Sequence, residues 1–215
     1  MNRYNAVIFD MDGLIIDTEK LLIKYWVTAA NEFGYPMKRE HALHIRSLSG
    51  ALAEPYLREA VCPDFDYKKV RSRRIELMNA DIAKNGIELK KGIIPLLDEL
   101  DRRHMQKAVC TATDLERTTR YLTSLNIFHR FDKVICGPMV EHGKPAPDIY
   151  LYACGELGES PERCLALEDS PNGVRSAYYA GCGVVMVPDL TEPTEEDRKC
   201  ILGEASDLEA VIKYL

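Results

Sequence analysis

Four segments of the 215-residue chain bring acids, hydroxyls and a lysine next to apolar runs. In Asp10-Met11-Asp12-Gly13 two carboxylates stand two residues apart, directly after Ala6-Val7-Ile8-Phe9, and on an extended chain such residues point the same way. A pair of this kind holds a hard cation or divides nucleophilic and acid/base duties, although Asp-Gly is also an ordinary turn. Thr111-Ala112-Thr113-Asp114 offers hydroxyls and backbone N–H groups at a strand-to-helix turn, a cradle for phosphate; Thr113 or Asp114 would equally cap the helix. In His142-Gly143-Lys144-Pro145-Ala146-Pro147-Asp148 the lysine sits between Gly and Pro with little backbone freedom, which suits a fixed cation against phosphoryl oxygens. Glu168-Asp169-Ser170-Pro171-Asn172-Gly173 follows Leu165-Ala166-Leu167, and two acids at a buried strand end are costly unless a cation meets them. With Asp10 they make an oxygen-rich site suited to Mg²⁺. Asp169 as a helix cap would leave Glu168 unexplained.

The elements that must position these residues are legible as periodicity. Ala6-Val7-Ile8-Phe9, Lys107-Ala108-Val109-Cys110, Lys133-Val134-Ile135-Cys136, Cys164-Leu165-Ala166-Leu167 and Val184-Val185-Met186-Val187 are continuous rather than alternating, as strands buried on both faces of a parallel sheet must be. Helical patterns lie between them: 93–103, with Ile94, Leu97 and Leu100 on one face; 115–125, with Leu115, Leu122 and Leu125; 148–157; and 171–180, which opens on a proline. Alternation of this kind predicts an α/β fold with a doubly wound parallel sheet, and in such sheets ligands bind beyond the carboxyl ends of the strands. The four segments fall in order at those ends. Residues 18–86 break the rhythm with helical patterns only, at 21–33 and 70–82, and predict an all-helical cap inserted over the functional edge. The expected division is a core of residues 1–17 plus 88–215 and a cap of residues 18–87. Residues 188–199 read as a charged loop before a last helix.

Composition bounds the function. Hydrophobic residues are 46% and charged residues 29%, an ordinary globular balance. The net charge of −6 speaks against a nucleic-acid partner. Residues 18–85 carry a net +3 and the remainder −9, so a basic cap over an acidic core would suit an anionic substrate drawn to a metal. The seven cysteines form no C-x-x-C pair and predict reduced thiols used as small hydrophobes. No run approaches the roughly 18 apolar residues of a membrane span; a cytoplasmic protein, a monomer or weak dimer with no membrane partner, is expected.

Taken together, Asp10-Met11-Asp12-Gly13 with Asp17-Thr18-Glu19, Thr111, Gly143-Lys144-Pro145-Ala146-Pro147-Asp148, and Glu168-Asp169-Ser170 with Gly173 resemble the haloacid dehalogenase-like hydrolase superfamily, in its beta-phosphoglucomutase-like phosphatase branch. The resemblance implies that Asp10 is the nucleophile and forms an aspartyl-phosphate. It implies that Asp12 is the general acid/base and that its carbonyl binds the metal, that Thr111 and the Ala112 N–H bind the phosphoryl group, and that Lys144 balances charge. Asp169 would ligate Mg²⁺, with Glu168 supporting that shell. The residues agree with this division: an ordinary Asp titrates near about 3.9, so the acid must be shielded from metal and water, whereas the nucleophile must be ionised. Segments 17–18 and 87–91 are the expected hinges.

The implied activity is Mg²⁺-dependent hydrolysis of a small phosphorylated metabolite, a sugar or polyol phosphate. The alternative is a beta-phosphoglucomutase-type phosphomutase. Where such mutases present a cap histidine this chain has Leu22, and where they grip a remote phosphate with basic residues it has Ser49 and Ala53, which favours the hydrolase. Arg46 and Arg73 are the candidate substrate contacts from the cap. A phospho-accepting signalling receiver module shares the acids, hydroxyl and lysine, but places its acceptor on a later strand and lacks so large an insertion. His41, His44, Trp26 and His142 are assigned no chemical role.

Overall fold

Apolar runs too short for helices become the strands of one parallel sheet in a computed structural model that describes residues 3–215; the first two positions of the expected core segment 1–17 lie outside the described residues. Strands β1 (Ala6–Phe9), β2 (Gln106–Thr111), β3 (Lys133–Cys136), β4 (Cys164–Glu168), β5 (Gly183–Met186) and β6 (Gly203–Glu204) are ordered β3-β2-β1-β4-β5-β6, and every neighbouring pair is parallel. The fold is the expected doubly wound sheet. Successive strand residues feed opposite layers, Val7, Phe9, Val109, Leu165 and Leu167 one side, Ala6, Ile8, Ala108, Cys110 and Ala166 the other. Both layers are dry, which is why the runs show no polar alternation. Helices α5 (Ile93–Arg102) and α6 (Leu115–Ser124) cover the first layer, and α7 (Asp148–Leu157) and α8 (Pro171–Tyr179) the second.

Four further helices stand between β1 and α5: α1 (Glu19–Glu32), α2 (Arg39–His44), α3 (Gly50–Ala60) and α4 (Tyr67–Asn85). They enclose an apolar cluster of their own, including Ile23, Trp26, Ala30, Leu57, Phe65 and Val70. The two chain crossings that join them to the sheet are tied to each other. Asp17 N–H donates to the Glu88 carbonyl (2.9 Å), Lys90 N–H donates to the Ile15 carbonyl (2.9 Å), and Ile16 and Leu89 form an antiparallel bridge.

Several local expectations are corrected. The buried face of α5 is Ile93, Leu96, Leu97 and Leu100, whereas Ile94 and Leu115 are exposed; Leu115 is the first residue of α6, ahead of the turn that packs. The charged loop contains a short helix, α9 (Glu195–Arg198), because Thr194 and Asp197 cap it reciprocally. The last helix is a 3₁₀ helix, Glu209–Tyr214, and β6 was not expected at all. All seven cysteines are free thiols, and among the described residues no helix is long and apolar enough to cross a membrane.

Candidate active site

Parallel registration carries the four chemical segments to one edge. Phe9 pairs with Val109 on one side and Leu167 on the other, so the chain leaves β1, β2 and β4 at Asp10, Thr111 and Glu168 within one row. The Asp10 N–H still donates to the Leu167 carbonyl at 3.0 Å, which fixes its side chain before the turn begins. The turn then folds back on itself: the N–H groups of Ile15 and Ile16 donate to the Met11 carbonyl at 2.9 and 3.1 Å. Gly13 makes the reversal at φ +87°, and a Cβ there would lie 2.3 Å from Asp169 Oδ2. Gly13→Ala combines a disfavoured backbone with that clash, and a loss of about 2–5 kcal/mol is expected in a urea titration; an unchanged midpoint would show that the turn is not rigid.

Lys144 is the electrostatic centre. Its Nζ donates to Asp10 Oδ1 (2.5 Å), Glu168 Oε1 (2.6 Å) and the Cys110 carbonyl (3.1 Å), so all three of its protons are used. Burial alone would lower its pKa, but the two carboxylates outweigh burial and hold it well above the ordinary lysine value. Tyr150 donates a second hydrogen bond to Glu168 Oε1 at 2.6 Å, and Gly173 leaves the room that carboxylate needs, since a Cβ would lie 2.0 Å from it. Ser170, not Asp169, caps α8, accepting from the Gly173 N–H.

Asp12 points elsewhere. Its carboxylate accepts from the hydroxyls of Thr18 (2.5 Å), Thr113 (2.9 Å) and Thr111 (3.4 Å). Thr113 therefore serves Asp12 while Asp114 caps α6 through the Arg117 N–H. The two acids that share one turn thus have different surroundings, lysine and acids for Asp10, hydroxyls for Asp12.

Several buried carboxylate oxygens here accept no hydrogen bond. Asp10 Oδ2, both carboxylate oxygens of Asp169 and Glu19 Oε2 are buried without a hydrogen bond. Asp10, Glu168 and Asp169 each offer an oxygen within 4.8 Å of the others. Burial raises the Asp10 carboxyl well above its usual value despite Lys144, and raises Glu19 likewise, with Asp169 adding to it. Burial also pushes Asp169 up to about 7. Orphaned buried oxygens are rare and expensive, and three hard oxygen donors converging on one point fit a divalent cation such as Mg²⁺.

A cavity of about 320 Å³ opens over this edge, lined by Asp10, Asp12, Thr111, Ala112 and Lys144 from the core and by residues of α1, α2–α3 and α4 above. Arg46 reaches down from the helical insertion, buried, donating to the Asp169 carbonyl at 2.7 Å and to Thr191 Oγ1 at 3.1 Å, with Nη2 3.5 Å from Asp169 Oδ2. Ser170 Oγ donates to Ser47 Oγ, and Asn172 Nδ2 to the Arg46 carbonyl, both at 3.0 Å, beside it. Arg73 is not brought to the cavity: its guanidinium pairs with Glu32 (2.6 Å) and Glu76 (3.2 Å) on the outer surface, because it lies off the buried stripe Val70–Arg74–Met78 of α4. Leu22, Ser49 and Ala53 all line the cavity. Trp26 belongs to the helical cluster and also reaches the cavity wall; His44 stacks on Tyr56, and His41 closes the start of α2. Tyr150, Arg71, Arg74 and Arg117 were not singled out for this site from sequence; Thr18, Glu19 and Thr113 stood in the quoted motifs, but without the contacts to Asp12 or the burial beside Asp169 that the structure gives them.

The family model for haloacid dehalogenase-like hydrolases matches residues 7–187, from β1 to the end of β5. The chain belongs to the haloacid dehalogenase-like hydrolases. It is 33% identical over 200 residues to a protein of Drosophila melanogaster named probable pseudouridine-5'-phosphatase, covering 88% of this chain and 84% of that one. It is 30% identical over 189 residues to the fructose-1-phosphate phosphatase YqaB of Escherichia coli, covering 86% and 97%. The crystal structure of CbbY from Rhodobacter sphaeroides in complex with phosphate superimposes with a TM-score of 0.79 at 25% identity, covering 97% of this chain and 96% of that one. As expected from the motifs, this is an enzyme of the hydrolase class, and its named relatives in the haloacid dehalogenase-like family are phosphatases.

Proposed function

We propose that this haloacid dehalogenase-like hydrolase is a Mg²⁺-dependent phosphatase acting on a small phosphorylated metabolite, a sugar or polyol phosphate, through a phosphorylated Asp10. The observation that carries the reading is the unpartnered Oδ2 of Asp10, a residue that lines the cavity and is held by Lys144 through its other oxygen. In the first step that oxygen attacks phosphorus, an Asp10 O–P bond forms, and the bond from phosphorus to the leaving oxygen breaks; Asp12 gives its proton to that oxygen. In the second, Asp12 takes a proton from water as the water oxygen attacks phosphorus, releasing phosphate and restoring Asp10. The hydroxyls of Thr18 and Thr113 hold Asp12 in place for both transfers. Thr111 and the Ala112 N–H bind the phosphoryl oxygens, and Lys144 aims Asp10 and opposes the protonation that burial favours. Mg²⁺, held by Asp10 and Asp169 with the Asp12 carbonyl and with Glu168 behind them, would supply positive charge against the transferring group.

The names of the relatives support a phosphorylated sugar or related metabolite, and Leu22, Ser49 and Ala53 supply no charge where a mutase uses it. The helical residues 18–87 act as the cap, turning on segments 17–18 and 87–91. A cytoplasmic setting, as a monomer or weak dimer without nucleic acid, belongs to the same proposal and is supported by the seven free thiols and the net charge of −6. Phosphate release from a panel of phosphorylated metabolites, with no bisphosphate activator added, tests hydrolysis against mutase activity. In that assay Asp12→Asn is expected to lower kcat/KM for alkyl phosphates about 10²–10⁴-fold and to lower it less for aryl phosphates, whose leaving group needs no proton. Full activity of Asp12→Asn towards alkyl phosphates would remove Asp12 from the acid role.

A further inference from the structure

Three arginines outside the acid cluster also line the cavity. Helix α4 contributes Arg71 and Arg74, and α6 contributes Arg117. Arg74 is 5% exposed. Its Nε has no partner, its Nη1 reaches only Met78 Sδ at 3.8 Å, and its guanidinium lies 5.2 Å from the centre of the Trp26 ring. Among the described residues no carboxylate lies within ion-pair distance of Arg74 or Arg71. Arg117 is anchored through Nε to Asp114 at 2.7 Å. Burial, then the like charges of Arg117 and Arg71, lower the Arg74 pKa to about 10, so it stays charged at neutral pH. A buried cation beside two others, in ion-pair contact with no carboxylate among the described residues and only under the field of Asp12, is destabilising by itself. Its neighbour Arg73 shows the ordinary fate of an arginine on this helix, outside and paired with glutamates.

We infer that Arg74, with Arg71 and Arg117, is the receptor for a second anionic group on the leaving moiety, so that the substrate is a phosphomonoester that also carries a carboxylate or another phosphate. This rests on the phosphatase reading and narrows it. One cavity holds both groups: Asp10 and Lys144 for the phosphoryl group that is cleaved, and Arg71, Arg74 and Arg117 for the group that stays on the product, with Leu22, Trp26 and Tyr67 lining it beside them. A guanidinium's planar fork matches either anion in a bidentate fashion.

The test compares compounds matched except for the second anion: a sugar monophosphate with its bisphosphate, and the same monophosphate with its phosphorylated sugar-acid counterpart. One doubly anionic compound is expected to exceed the plain monophosphate about 100-fold in kcat/KM; which of the two wins tells phosphate from carboxylate. Arg74→Met should collapse that ratio towards one, chiefly through KM, Arg74→Lys should restore part of it, and Arg73→Met should leave it unchanged. Calorimetric binding of the same compounds to Asp10→Asn reads the preference without turnover. A wild type that favours the plain monophosphate, or an Arg74→Met that folds and keeps the ratio, overturns the receptor. If no compound is hydrolysed at all, the phosphatase reading fails, and the calorimetric preference still decides the receptor.

Discussion

Asp10→Asn is expected to give a folded protein whose kcat on any phosphomonoester is lower by about 10⁴-fold or more. Removing a nucleophile costs this much because the oxygen that must form the new bond has lost its charge, and the rest of the site cannot substitute for it. The fold should survive, because the change removes one charge from a crowded buried cluster. An amide oxygen can still accept from Lys144, whose other contacts, to Glu168 and the Cys110 carbonyl, are untouched. Burial already favours the neutral form of Asp10, so the denaturation midpoint without metal should stay level or rise. Phosphate release and urea titration on one preparation check both halves; wild-type turnover by Asp10→Asn would place the nucleophile elsewhere.

Chelation of divalent cations is expected to abolish turnover and to leave a stability that depends on pH. Burial pushes the Asp169 carboxyl up to about 7, Arg46 partly offsets this, and Glu168 adds to it. A carboxyl whose pKa is higher folded than unfolded holds its proton more tightly in the native state. Its contribution is therefore complete below about pH 4 and is lost as pH rises to about 7. Asp10 and Glu19 shift in the same direction. For Asp169 alone the loss is up to about 4 kcal/mol. Saturating Mg²⁺ favours the ionised carboxylates and binds only the native state, so it should flatten the slope and restore several kcal/mol at pH 7 while changing little at pH 4. Urea midpoints across pH 4–8, with chelator and with Mg²⁺, measure it; identical curves would show that these oxygens do not hold the cation.

Much of this molecule was written in one dimension. A strand buried on both faces needs a continuous apolar run, and a parallel sheet delivers the residue after each run to the same edge. Asp10, Thr111, Glu168 and Asp169 could therefore be placed together from their positions after Phe9, Cys110 and Leu167. Lys144 was legible for its confinement between Gly and Pro. β6 was not, because Gly203–Glu204 is too short to have a period, and α9 was hidden because four charged residues carry no apolar stripe.

The division among nearby side chains was settled only by packing. Arg71, Arg73 and Arg74 differ by one to three positions on one helix, yet Arg73 faces Glu32 while the other two face the cavity. The signal for Arg74 lay in its place between Val70 and Met78, four residues from each, on the stripe that turns inward. Arg46 has no such period, because it follows α2 in a connecting turn, and its contact with Asp169 joins segments 123 residues apart. Thr113 and Asp114 were interchangeable as caps until Asp12 claimed the first hydroxyl. Sequence alone determines which residue types arrive at the edge, since register and burial depend on local pattern; tertiary structure decides which of them meet, since the direction and partner of a side chain depend on what the rest of the chain places opposite it.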